Sequence, residues 1–185
     1  MKKILRIFAI IISFFIVILV GVFFYFFNNK IVIDSQIKKD LAIKNLNRKI
    51  LFSFYDNLKE KSVTTDFYFD ENPQNDTVFY QCRFEETGIL NTKIISFVSG
   101  DGFSGLKINI TKFGNFFRTD IENYTDNLND TNLTKYNVKK QTMTLDKNNY
   151  KKGDSIYGKI NLKVIKESQN GNEEYESFGY FKTKL

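Results

Sequence analysis

The sequence predicts a mainly β protein that carries one transmembrane helix at its N-terminus. Three features predict this class: an uncharged apolar run near the start, a change from helical to alternating apolar spacing near residue 63, and turn residues between the alternating segments. We expect an anchor at 1–29, an amphipathic helix at 30–62, and an antiparallel β-sandwich or small barrel of about eight strands at 63–185.

The predicted anchor runs from Ile7 to Phe27 and contains no charged residue. As a helix it is about 30 Å long, which matches the hydrocarbon core of a bilayer. A cleaved signal peptide is the alternative, and it requires small residues before a cleavage site. The run ends in FFYFFNNK, so we expect an uncleaved, single-pass anchor.

The orientation of the anchor follows from the basic residues on its two sides. Lys2, Lys3 and Arg6 favour a cytoplasmic N-terminus, whereas Lys30, Lys38 and Lys39 favour the reverse. A short basic start followed at once by an apolar core is typical of an export signal. We therefore expect a protein of the cytoplasmic membrane with its C-terminal domain outside the cytoplasm.

The net charge of +6 belongs to the flanks of the anchor. Residues 1–6 contribute +3 and residues 7–50 contribute +4, which leaves residues 51–185 at −1. A nucleic-acid-binding domain would carry a basic surface of its own. The sequence therefore predicts the lipid bilayer as a partner and no nucleic acid.

Residues 35–60 are predicted to form one amphipathic helix, capped by Asp34 or Ser35. Apolar residues recur there at spacings of three and four, namely Ile37, Leu41, Ile43, Leu46, Ile50, Phe54 and Leu58. The basic side of this helix is either a solvated face or a contact with anionic lipid headgroups. The candidate headgroup contacts are Lys30, Lys38, Lys39, Lys44 and Arg48.

Alternation of apolar and polar residues predicts the strands. It is clearest at 78–85, 106–111 and 156–164, and further strands are expected near 63–70, 92–98, 116–123, 135–145 and 175–185. The polar stretch 124–134 is expected to be a long loop, and the last two strands to form a hairpin around Asn170-Gly171.

The segment from Tyr150 to Ile160, YKKGDSIYGKI, places a turn directly before a strand. It resembles the strand entry of extracellular immunoglobulin-like and macroglobulin-like domains. That resemblance implies a sandwich and carries no function.

Two motifs suggest catalysis or phosphate binding by pattern alone. Gly100, Gly102 and Gly105 match G-x-G-x-x-G, but an alternating strand follows where a dinucleotide site requires a helix. Ser35 with Lys38, and Ser104 with Lys107, match Ser-x-x-Lys, but both lysines are expected on wet faces, where they keep their protons. We expect turns and solvated faces here, and no catalytic residue.

Metal and cofactor sites are not expected. The chain has no His, and its one cysteine, Cys82, lies on an inward face and is expected to be an inert core residue. The acidic and amide-rich stretch 126–132 lacks the spacing and the glycine of a calcium-binding EF-hand loop.

These features favour a non-enzymatic binding or envelope-structural module, with an envelope protein as its expected partner. Phe79 and Phe103 are candidate contact residues. The alternative is a small-molecule or lipid carrier, with an apolar ligand in a barrel-type cavity. A hydrolase that uses carboxylates is a third hypothesis, and no carboxylate pair is identified for it.

Overall fold

The structure is a computed structural model that describes residues 2–46, 49–54, 57–69, 80–87, 92–100, 104–126, 134–168 and 171–185. Helix α1 spans Lys2–Phe26. Its segment Arg6–Tyr25 is long and apolar enough to cross a membrane, and it is not buried against the rest of the chain. The predicted N-terminal apolar helix is therefore confirmed.

The rest of the described chain is mainly strand. A short 3-10 helix at Ile37–Lys39 and helix α2 at Leu41–Asn45 interrupt it. The strands are β1 Asn29–Lys30, β2 Val32–Ile33, β3 Lys49–Phe54, β4 Asn57–Ser62, β5 Gln81–Glu86, β6 Lys93–Val98, β7 Ser104–Phe113, β8 Phe116–Thr125, β9 Lys135–Leu145, β10 Ser155–Ser168 and β11 Gly171–Lys184.

The strands form two main sheets. The first sheet has the order β1-β8-β7-β6-β5 and is antiparallel. The second has the order β11-β10-β9-β2 and is mixed, because β2 runs parallel to β9. Strands β3 and β4 form a separate hairpin, and no described sheet closes on itself.

Both sheets contribute to one apolar core. Inward residues alternate along every long strand, as the sequence pattern predicts, and they include Phe97 and Phe117 from the first sheet and Leu162 and Phe181 from the second. The rings of Phe97 and Phe181 meet edge to face, with their centroids 5.3 Å apart. Burial of these large side chains is the main source of stability for the domain.

The predicted helix over 35–60 is wrong. Helix α2 ends at Asn45, and residues 49–62 form the β3–β4 hairpin instead. The start signal was also misplaced, since the Asp40 side chain caps α2 by accepting from the Ala42 amide at 3.1 Å. The apolar spacing was ambiguous, because Ile50, Phe52 and Phe54 also alternate as strand residues do.

The cap at Asp40 explains where α2 begins, and packing explains why the helix is short. Ile43 and Leu46 of the α2 region pack with Val63 against Tyr157 and Tyr180 on the outer face of the second sheet. One helical turn is enough to cover this patch.

The other strand predictions agree with the structure in position. The segment 135–145 coincides with β9, and the predicted strands near 92–98 and 116–123 correspond to β6 and β8. The strand predicted near 63–70 is the exception, because its described residues, 63–69, form isolated bridges, Thr65 with Phe181 and Tyr68 with Phe178. Residues 127–133 of the predicted long loop and Asn170 of the predicted hairpin lie outside the described residues.

Candidate functional site

The two sheets meet along two seams, where an edge strand of one sheet lies beside an edge strand of the other. The first seam lies between β5 and β11. The segment 64–68 runs along β11, where the Lys182 amide donates to the Thr64 carbonyl at 2.8 Å and the Asp66 amide donates to the Tyr180 carbonyl at 3.2 Å. On its other side, the Thr64 hydroxyl accepts from the Cys82 amide of β5 at 2.9 Å. One extended segment of the chain therefore fills the β5–β11 seam.

The second seam lies between β8 and β9, and one end of it is also filled by the chain. Strand β1 pairs with Phe116 and Phe117 of β8, and β2 pairs with Thr144 and Leu145 of β9. Ile31 sits between these two short strands and is only 3% exposed. The single stretch 29–33 thus hydrogen-bonds one sheet with its first half and the other sheet with its second half.

The other end of the β8–β9 seam is open. For residues 119–124 of β8 and 135–143 of β9, the structure describes no strand partner on this side. A groove of about 840 Å³ lies there. Its lining comes from the ends of three strands and the residues beside them, namely Ser104, Gly105, Ile121, Glu122, Asn123, Tyr124, Thr125, Thr134, Lys135, Tyr136 and Asn137.

The groove has an apolar floor and a polar rim. Ile121 and Tyr136 pack against the core cluster from the two sides. The Tyr136 hydroxyl donates across the seam to the Asn123 side-chain oxygen at 3.3 Å. The hydroxyl of Tyr124 donates to the Ser99 carbonyl at 2.7 Å, which fixes its ring beside the groove.

The charges at the groove are mixed. Glu122 lies 3.6 Å from the ammonium of Lys107 and accepts from the Asn109 amide nitrogen at 3.1 Å. Lys135 lines the groove from the opposite strand, β9. A groove with both signs on its rim does not select strongly for an anion or for a cation.

Two buried polar atoms flank the transition from the closed end to the open end. The Thr119 hydroxyl lies on β8 between Phe117 and Ile121. The side-chain oxygen Oε1 of Gln141 lies on β9 between Asn137 and Thr144. Neither atom has a hydrogen-bond partner among the described groups. Such groups are unfavourable unless something polar reaches them, so they mark the seam as incompletely satisfied.

The glycine motif serves a turn between strands. Gly100 has φ 118°, and Gly105 is the second residue of β7. A Cβ on Gly100 would collide with the Ser104 carbonyl, and one on Gly105 would collide with the Ser99 carbonyl. Close backbone crossing therefore accounts for both glycines. Gly102 lies outside the described residues.

The Ser-x-x-Lys pairs are not assembled as dyads. Ser35 and Lys38 are both exposed, and the Lys107 ammonium is paired with Glu122. Cys82 is buried, as predicted, and its burial raises the pKa of the thiol. Among the described residues no three His, Cys, Asp or Glu side chains come together as metal ligands.

The predicted headgroup contacts separate in the fold. Lys30 lies on β1, whereas Lys38, Lys39 and Lys44 lie on the two short helices, and all four are exposed. Arg48, Phe79 and Phe103 lie outside the described residues.

Comparison with protein-family models, with curated proteins and with solved structures finds no match to this chain. The seam residues were missed by the sequence analysis. Alternation places Ile121 and Tyr136 on inward faces, but it does not show that β8 and β9 face each other with their edges unpaired. Only the strand order reveals this.

Proposed function

We propose that the protein is a membrane-tethered, non-enzymatic binding module that holds an extended polypeptide segment in the open end of the β8–β9 seam. The observation that carries the proposal is the groove between 119–124 of β8 and 135–143 of β9, two stretches for which the structure describes no strand partner on the side of the seam. Unpaired edges offer a row of backbone donors and acceptors, which an added strand satisfies.

The closed end of the same seam supports an extended occupant. There the chain's own residues 29–33 lie between β8 and β9 and pair with both. A partner strand in the open end would continue that arrangement along the seam. Its alternate side chains would meet the floor at Ile121 and Tyr136, while its backbone would pair with β8 or β9.

The packing of the core argues against the carrier alternative. A carrier requires large side chains around an unfilled interior. Here the ring of Phe97 stacks on that of Phe67 and meets that of Phe181 edge to face, and Phe97 and Phe181 are fully buried. We also propose that the two sheets pack as a sandwich, because both contribute inward faces to one core and neither closes on itself.

Binding is tested with a displayed library of extended peptides, selected against the whole chain in detergent micelles. We expect selected peptides to slow amide hydrogen exchange at 121–125 and 135–137. Protection confined to other surfaces, or a selection that enriches nothing, would rule out the seam as a strand-binding site.

A pair of matched variants sharpens the binding test. Asn123→Ala removes a rim side chain from the open seam, whereas Asn161→Ala makes the same change in β10, which is paired on both edges. The first variant should weaken peptide binding and the second should leave it unchanged.

The location we propose is the cytoplasmic membrane, with the domain outside the cytoplasm. The basic residues Lys2, Lys3 and Arg6 at the start of α1 support it. Fusion of alkaline phosphatase after Leu185 should give an active enzyme, and a fluorescent protein that matures only in the cytoplasm should stay dark. The reverse pattern would place the domain in the cytoplasm.

A further inference from the structure

The turn between β7 and β8 contacts the end of the apolar helix. The ring of Phe113 lies 5.1 Å from that of Phe23, and the ring of Phe116 lies 6.4 Å from that of Phe24, both measured between centroids. Phe113 also approaches Phe27 at 6.2 Å. Phe23 and Phe24 belong to the segment that is long and apolar enough to cross a membrane.

These contacts set the depth of the turn relative to α1. If Arg6–Tyr25 spans a bilayer, Phe23 and Phe24 lie in its last turn, at the edge of the hydrocarbon core. Rings that touch them lie at the same depth. Gly114 and Asn115, between the two turn phenylalanines, are exposed.

Two exposed apolar residues lie at the same end of the domain. They are Val32 and Ile33 of β2, which are 57% and 45% exposed. Ile33 pairs with Leu145 at the end of β9, and the loop after β9 reaches the β7–β8 turn, where Asn148 accepts from the Lys112 ammonium at 3.0 Å.

An exposed cationic side chain lies beside these rings. Lys30 is exposed and pairs with Phe116 across the β1–β8 ladder. Aromatic rings at the boundary with a lysine beside them match a membrane interface, where an ammonium group reaches the lipid phosphates.

We propose that the β7–β8 turn, Phe113 to Phe116, enters the lipid interface beside the last turns of α1 and is a second membrane contact of the domain. This inference rests on the proposed anchoring by α1. With two contacts, this end of the domain stays against the bilayer, and the open end of the β8–β9 seam faces away from it.

The chain has no Trp, so single tryptophans report membrane depth without background. Phe116→Trp and Phe113→Trp probe the turn independently, in case one of them does not fold. Phe15→Trp marks the middle of α1. Tyr136→Trp marks the start of β9, at the end of the domain away from the β7–β8 turn. Each whole chain is reconstituted in phosphatidylcholine–phosphatidylglycerol vesicles, with and without bromine on the acyl chains.

We expect both turn tryptophans to show blue-shifted emission and to lose intensity with brominated lipid, in the same way as Phe15→Trp. Tyr136→Trp should keep its intensity. The measurement does not depend on which way the chain enters the vesicle, because the turn meets the nearer leaflet in either orientation.

Other outcomes overturn the proposal in distinguishable ways. If Phe15→Trp is quenched and neither turn tryptophan is, α1 is an anchor but the turn does not reach the lipid. If none of the four is quenched, the proposed anchoring fails together with the inference. Equal quenching of Tyr136→Trp and the turn would show that the domain has no preferred membrane-facing end.

Discussion

The two seams between the sheets differ in how far the chain itself fills them. At the β5–β11 seam, residues 64–68 pair with β11 and reach β5 through the Thr64 hydroxyl. At the β8–β9 seam, residues 29–33 fill only the end near the β7–β8 turn, and the rest is a groove. A filled seam stabilises the fold, whereas an open edge is a liability that a partner strand removes.

The largest effect that we expect comes from emptying the filled end of the β8–β9 seam. Ile31→Ala should lower the free energy of unfolding by about 2–5 kcal/mol, because it removes a buried side chain between the two short strands that pair with the two sheets. Urea titration followed by circular dichroism of the chain in detergent measures the change.

The neighbour of Ile31 is the matched control. Val32 is 57% exposed, and Val32→Ala should change the free energy of unfolding by no more than about 0.5 kcal/mol. Equal losses in the two variants would contradict the bridging role of Ile31.

The β5–β11 seam is disturbed by adding one methyl group. A Cβ on Gly179 would collide with the Phe67 backbone. Gly179→Ala should therefore displace the segment 64–68 from β11 and lower the free energy of unfolding by about 1–3 kcal/mol. Gly21→Ala is the control of equal size, since a Cβ there meets no atom within 4 Å. A loss in the control as large as in Gly179→Ala would argue against this close packing.

The pH dependence of stability should distinguish the filled end of the β8–β9 seam from the open end. Burial, with a smaller contribution from the nearby positive charge of Lys93, lowers the pKa of Lys112 from 10.5 to about 8. Above pH 8 the folded protein releases this proton, whereas the unfolded chain keeps it until about pH 10.5. The unfolded state then binds more protons, so stability should rise with pH from about 8 upward.

Thermal unfolding at several pH values between 8 and 9.5 checks this rise. Lys112→Met should abolish it, and Lys107→Met, on the same strand at the open end, should retain it. A rise that persists in Lys112→Met would assign the effect to another group.

The smallest expected effect lies in the open seam. Asn123 is exposed, and its side chain accepts only a 3.3 Å hydrogen bond from Tyr136. Asn123→Ala should therefore change the free energy of unfolding by no more than about 0.5 kcal/mol. A loss near that of Ile31→Ala would mean that the open end is structural.

The sequence by itself determined the apolar helix, the inward faces of the long strands and the burial of Cys82. Each of these depends on local composition or on a period along one segment, and burial of apolar surface enforces it wherever the segment packs. The absence of a helix after the glycine motif was predictable for the same reason. Short apolar runs were not decisive, and the pattern at 49–62 fitted a helix and a hairpin alike.

Tertiary structure alone decided which strands became neighbours and which edges stayed open. The sequence of residues 29–33 does not show that five residues behind an apolar helix join two sheets. Nor does the sequence of residues 116–145 show a groove between β8 and β9. Pairing between distant strands is set by how the whole core packs. Backbone hydrogen bonds are alike for every sequence, so they do not specify which strand pairs with which.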